Sequence, residues 1–374
     1  MRPDKTEYRD RLRLFRSENV GPVTWRQLMS VYGSATAAIR AVPDLARRGG
    51  KRAIRICPVQ AVEDEKKALT ALGAKLLFLG DPAYPPLLAA LDDAPPVLTV
   101  LGTPDLLRRP VVAIVGARNA SANGCRFAER LARELGEAGL VVVSGLARGI
   151  DSAAHAGSLE TGTVAVMAGG VDVVYPAENA GLYESIRGAG ALVSELPPGV
   201  KPFASHFPRR NRIVSGLALG IVVVEAAARS GSLLSARLAL EQGREVMAVP
   251  GSPLDARARG PNSLIRSGAA LVESAHDVLE VLEPYLSRPV SEPDLPRFQG
   301  PASGIPPENE LEDARERVCN AFDETPIPVD ELIRRCQMSP LAVSVVLLEL
   351  ELAGRLTRHP GNRVSRPGPQ GPDA

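Results

Sequence analysis

From Pro110 to Glu273 the chain alternates short apolar runs with longer helical stretches. The main runs are Val111–Val115, Leu140–Val143, Thr163–Met167, Gly220–Val224 and Glu245–Val249, with shorter ones at Ala191–Val193 and Ala270–Val272. Within each run apolar residues follow one another instead of alternating with polar ones, the mark of strands covered on both faces. Strands separated by helices pair in parallel through right-handed crossovers. The pattern predicts a Rossmann-like, doubly wound, mostly parallel α/β sheet. In such sheets ligands sit beyond the carboxyl ends of the strands, where the strand order reverses.

The flanks read differently. Arg11 to about Ile56 is a series of short helices, in which Trp25, Leu28, Met29 and Tyr32 recur at helical spacing before Gly33. Asp81 to Leu101 is a proline-rich connector that ends in an apolar strand. Ser287 to Pro307 is rich in Pro, Ser and Gly and reads as a linker. The division expected is therefore 1–80, an N-terminal helical module; 81–286, the connector and α/β domain; 287–307, the linker; 308–366, a small C-terminal domain; and 367–374, a disordered tail.

Composition narrows the function classes. The 374 residues suit two or three domains. Lys plus Arg number 44 against 43 Asp plus Glu, a net charge of +1, so any nucleic-acid partner must be met by a local patch. Met1–Lys5 carries no apolar h-region, and the longest apolar stretch, Val214–Ala228, contains Glu225 and is too short to span a bilayer. A cytoplasmic protein with no membrane association is expected. Four cysteines and four histidines are scattered, which predicts neither a disulfide framework nor a metal site.

The candidate chemistry lies at the predicted strand ends. Gly116 and Arg118 follow the first strand: a glycine for a tight turn with free amides, and a guanidinium fork matched to phosphate. Ser144 and Gly145 open the loop after the second strand, and Asp151 is placed to cap the next helix with His155 one turn on. Gly169-Gly170 reads as a turn with close packing. No GxGxxG is present, which argues against a dinucleotide site. Lys201 to Arg212, KPFASHFPRRNR, has no acidic residue. Its cations Lys201, Arg209, Arg210 and Arg212, with Asn211, interleave with Phe203 and Phe207, as in proteins that track single-strand phosphates and stack bases. Ser230, Gly231 and Ser232 open a helix and suit an anion or a cap.

Taken in order, these motifs resemble the DprA/Smf family of DNA-processing proteins. The resemblance rests on Val115-Gly116-Ala117-Arg118, Ser144-Gly145-Leu146-Ala147, Gly149-Ile150-Asp151 with Ala154-His155, Tyr175-Pro176, Ser194-Glu195, Phe207-Pro208, Arg210-Asn211-Arg212-Ile213, Glu225, Ser230-Gly231-Ser232-Leu233 and Val249-Pro250-Gly251, completed by Asn262, Leu264-Ile265 and Gly268-Ala269. It implies an N-terminal SAM-like module, a C-terminal winged-helix module and a non-enzymatic homodimer without cofactor. Such a protein binds single-stranded DNA and loads the recombinase RecA onto incoming strands in natural transformation. By position, Arg118, Lys201, Arg210, Asn211 and Arg212 would belong to the DNA groove. Ser235 departs from the family's usual threonine, and Asn19-Val20-Gly21-Pro22 lacks the first glycine of a full helix–hairpin–helix turn.

Two other functions fit the sequence less well. A nucleotide hydrolase of the LOG type needs a PGGxGTxxE loop, and Gly169-Gly170 continues instead as Val171-Asp172. A winged-helix regulator needs a DNA-reading helix. In the C-terminal domain Asp330 is expected to cap one helix and Ser339 the next, whose apolar stripe is Leu341, Val345, Leu348 and Leu352, with Gly354 at its end. That helix bears Glu349 and Glu351 and no Lys or Arg before Arg355, which argues against base readout. The predicted wing, with Arg355, Arg358, His359 and Arg363, is left for phosphates; otherwise the module is a protein-contact or structural unit.

Overall fold

The computed structural model describes residues 4–51, 53–228, 230–287, 306–359 and 361–368. Most of the expected linker, and the tail from residue 369, lie outside the described residues. Contacts divide the chain into two units: residues 65–295, and residues 1–64 together with 296–374.

Among the described residues the larger unit is built on nine strands: β1 (Lys75–Phe78), β2 (Val97–Gly102), β3 (Val111–Val115), β4 (Val141–Ser144), β5 (Thr163–Val166), β6 (Ala191–Ser194), β7 (Gly220–Val223), β8 (Glu245–Ala248) and β9 (Ala270–Leu271). Their order is β1-β2-β6-β5-β4-β3-β7-β8-β9. From β6 to β9 all neighbours are parallel, and β2 and β1 extend one edge antiparallel. Every predicted run became a strand, and β3 to β7 are buried at every position. One face is closed by helices Ala122–Glu137, Ile150–Ser158 and Ala275–Leu286, whose Leu131, Leu135, Ile150, Val278 and Leu282 meet Val112, Ile114, Val142 and Val222. From β3 the chain steps outward through β4, β5 and β6, then returns to place β7 on the other side of β3. That reversal is the switch point, and the parallel pairing brings the ends of β3, β4, β5 and β7 to one edge of the sheet.

The smaller unit joins the two termini of the chain. Helices Lys5–Phe15, Pro22–Tyr32 and Ala35–Arg48 bury Leu12, Leu14, Trp25, Leu28 and Met29, and Gly33, at φ 70°, ends the second helix as its left-handed cap. Helices Glu308–Ala321, Val329–Cys336 and Pro340–Leu352 surround a second core with a small sheet of β10 (Ile327–Pro328), β11 (Thr357–His359) and β12 (Arg363–Ser365). This is the winged-helix arrangement, with β11 and β12 as the wing. Ser339 caps its helix as expected, its side chain accepting from the Ala342 amide at 3.2 Å. Asp330 does not cap: the cap position is Pro328, and Asp330 lies in the first turn. The apolar stripe of Pro340–Leu352 is also wider than its spacing indicated, because the helix is buried nearly all round.

Candidate nucleic-acid interface

At the switch point the chain supplies its own anion. Ser121 caps the helix Ala122–Glu137, and the Glu225 carboxylate, just beyond β7, accepts from the Ser121 amide at 2.9 Å and from its hydroxyl at 2.6 Å. A Cβ on Gly124 would stand 2.6 Å from that carboxylate. Glu225 therefore sits at the helix N-terminus that a Rossmann fold offers to a pyrophosphate, which is the structural counterpart of the missing GxGxxG. Gly116 is likewise closed off. A Cβ there would meet Ile150 at 2.5 Å, so this glycine serves close packing instead of anion approach.

The loop after β4 is held from several sides. Leu146 has φ 54°, a left-handed conformation that costs a leucine about 1 kcal/mol. Its amide donates to His155 Nε2 at 3.3 Å and its carbonyl accepts from Asn179 Nδ2 at 2.9 Å. The His155 ring is wholly buried and its Nδ1 lies 2.7 Å from Thr163 Oγ1. Burial first, and the nearby Arg210 charge second, push its pKa down to about 3, so it is neutral, with Nδ1 donating. Asp151 does not cap its own helix. Gly149 holds that position, and the Asp151 carboxylate accepts from the amides of Gly145 and Ala147 at 3.2 and 3.3 Å. Asp151 and His155 thus brace the same loop at different amides and form no acid–base dyad.

Arg210 completes this brace. It is 7% exposed, and its guanidinium lies 3.9 Å from the Asp151 carboxylate. A Cβ on Gly145 would fall 1.0 Å from Arg210 Nη1, so that glycine makes room for the guanidinium. Burial pushes the Asp151 carboxyl up and the Arg210 guanidinium down; their mutual attraction and the two amides oppose this. Arg210 Nε is buried without a hydrogen-bond partner.

Above this brace is a pocket of about 360 Å³ at the ends of β3, β4 and β5, with Arg118, Gly145, Arg148, Tyr175, Phe207 and Arg210 in its wall. Exposed Arg118 lies over the Phe207 ring at 5.0 Å, and Tyr175 meets the same ring edge-on at 5.8 Å. The result is a cation and two aromatic faces at the rim of a basic hollow. Of the predicted residues, Arg118, Gly145, Phe207 and Arg210 come together here. Sequence reasoning passed over Arg148 as a site residue and quoted Tyr175 only within a motif. The signal for Tyr175 was an aromatic before a proline in the loop that follows β5; it is 47% exposed.

The other predicted residues lie elsewhere. Lys201, Phe203 and Arg209 are exposed outside the pocket wall, and Phe203 packs edge-on against His206 at 5.5 Å. Asn211 Nδ2 donates to the Gly231 carbonyl at 3.4 Å, beside Ser230, whose hydroxyl accepts from the Ser232 amide as the cap of Gly231–Glu241. Ser144 is buried and donates to the Ile114 carbonyl. Arg212 points inward: it is 8% exposed and bonded to the Glu195 carboxylate and the Asp93 carbonyl. Arg212 and Ser144 therefore hold the fold together and are not offered to a ligand in the groove. Among the described residues no three His, Cys, Asp or Glu side chains gather as metal ligands would, and no helix is long and apolar enough to cross a membrane.

Comparison with known proteins gives one consistent result. Residues 75–283 match the family model of DNA recombination-mediator protein A, residues 5–68 a DprA-like N-terminal HHH domain, and residues 301–362 the DprA winged helix domain. Protein Smf of Escherichia coli is 41% identical over 288 residues, covering 75% of this chain and 74% of its own. DNA processing protein DprA of Streptococcus pneumoniae is 46% identical over 205 residues, 54% of this chain and 72% of its own. The crystal structure of the pneumococcal protein superposes with a TM-score of 0.61 at 36% identity, covering 75% of this chain and 98% of that one. DNA processing protein A from Helicobacter pylori, solved for its single-stranded DNA binding mode, superposes with a TM-score of 0.52 at 29% identity, covering 57% and 96%.

Proposed function

The chain belongs to the DprA/Smf family of DNA recombination mediators, and from that premise we propose that it binds single-stranded DNA across the pocket at the ends of β3, β4 and β5. The observation that carries the reading is the Arg118–Phe207 pair at the rim of that pocket, above the buried Arg210. Arg118 meets backbone phosphates, Phe207 and Tyr175 offer their faces to bases, and Arg210 adds positive potential from below. Lys201 and Arg209 extend the basic track. Binding of this kind tolerates sequence, because rings and cations read features that every nucleotide has. The protein acts without catalysis or cofactor, as a cytoplasmic homodimer that shields an incoming strand and passes it to RecA during transformation. The bracing of Asp151 and His155 to backbone amides supports the non-catalytic reading, since both groups have structural work.

The test is a fluorescence-anisotropy titration with single-stranded, duplex and mononucleotide ligands over a salt series. Single strands should bind best, with affinity falling steeply as salt rises. Arg118→Ala should weaken single-strand binding about tenfold and flatten the salt slope by roughly 0.7, the share of one phosphate contact. Equal affinity for duplex, or an unchanged slope in the variant, removes the proposed groove.

A further inference from the structure

In a winged-helix module the helix before the wing is the one that enters the major groove. Here that helix, Pro340–Leu352, leaves only Pro340, Leu341, Ser344 and Glu351 open or partly open to solvent. Ala342, Val343, Val346, Leu347 and Leu350 belong to the module's own core. Leu348, Glu349 and Leu352 are buried too, where the helix packs against Ala35–Arg48 and Pro22–Tyr32. The contact is close and polar at its edges. A Cβ on Gly49 would stand 2.0 Å from the Glu349 carbonyl, and Asn19 Nδ2 donates to the Leu352 carbonyl at 3.0 Å. The wing turns the same way: Arg358 bonds Glu351 at 2.7 Å and Gln27 at 3.1 Å, and Arg355 bonds the Gly49 carbonyl at 3.3 Å.

We infer that the nominal DNA-reading face of the winged helix is a protein-docking face whose partner is residues 19–49 of the same chain, and that the two modules work as one body. A helix this apolar requires cover on most of its sides, and Leu348 and Leu352 would otherwise face water. Glu349 is buried and takes both its bonds from Arg315, and Glu351 takes one from Arg358, so the helix turns paired carboxylates, not base-reading cations or amides, to this face. Two of the wing's cations, Arg355 and Arg358, are engaged by the N-terminal module.

The test uses the full chain carrying Gly49→Leu. Gly49 has φ −69°, open to any residue, so the added side chain acts across the junction and not on its own backbone. Hydrogen exchange should rise at least tenfold in both 340–352 and 35–48. Duplex and single-strand affinities should stay within twofold of wild type. A milder variant, Asn19→Gly, keeps the left-handed backbone at φ 58° and removes only the bond to Leu352; it should raise exchange about fivefold in both helices. Unchanged protection of 340–352 in both variants overturns the docking. A tenfold gain in duplex affinity on opening overturns the assignment of the face to protein, since the contact would then be hiding a DNA reader.

Discussion

Arg210 and Arg212 stand one residue apart in a run of four polar residues, and sequence alone gave both to the groove. The structure separates them by partner. Arg210 reaches Asp151 beneath the pocket, while Arg212 reaches Glu195 inside the domain. A cation's role depends on the carboxylate it meets, and both carboxylates come from distant segments. Gly145 was legible as a glycine at a strand end, but its reason was not: it clears space for a guanidinium. His155 was legible only as a residue one turn beyond Asp151; its buried place bracing the loop after β4 was not. Its titration is testable. The folded value is about 3 and the unfolded value 6.5, so between them the unfolded chain binds a proton that the native state refuses. Stability is therefore lost as pH falls below 6.5, by about 2 kcal/mol from pH 7 to pH 5. His155→Gln should remove that increment from the acid limb of urea unfolding; an identical limb in wild type and variant would mean that His155 is not the group concerned.

Among elements, the strands were the most legible because continuous burial leaves an uninterrupted apolar record. β1 escaped because four residues, KLLF, carry too little pattern. The Pro340–Leu352 helix was misread for the opposite reason: with apolar residues on every side, a four-residue stripe was only part of its buried surface. The helix Ala122–Glu137 shows how one element prepares another. Its N-terminus is closed by Glu225 from beyond β7, two charge-assisted bonds that hold the switch point shut. Glu225→Ala should cost about 2 kcal/mol in chemical denaturation, and Glu225→Gln, which keeps the shape without the charge, about half as much. A neutral Glu225→Ala would show that solvent replaces the carboxylate at no cost.

For the molecule as a whole, proximity overrides chain order: the two termini make one unit and the middle another. Ligand binding should respect that division. A single-stranded oligonucleotide at a hundred times its Kd stabilises its binding unit by about 2.7 kcal/mol. Hydrogen exchange should then slow within residues 65–295 and stay as before in 4–51 and 306–368. Protection appearing in the smaller unit instead would move the DNA site out of the Rossmann domain.

Read alone, the chain determined its sheet, its helical flanks, its family motifs and the rim residues Arg118 and Phe207. Each of these leaves a local mark: a run, a spacing, a cation at a strand end, or an aromatic in a basic stretch. Only the tertiary structure decided which arginine lies under the pocket, which carboxylate fills the switch point and what covers the winged helix. Those outcomes depend on residues far apart in the chain that meet only on folding, and the energy of a buried charge or an apolar face is set by what it meets.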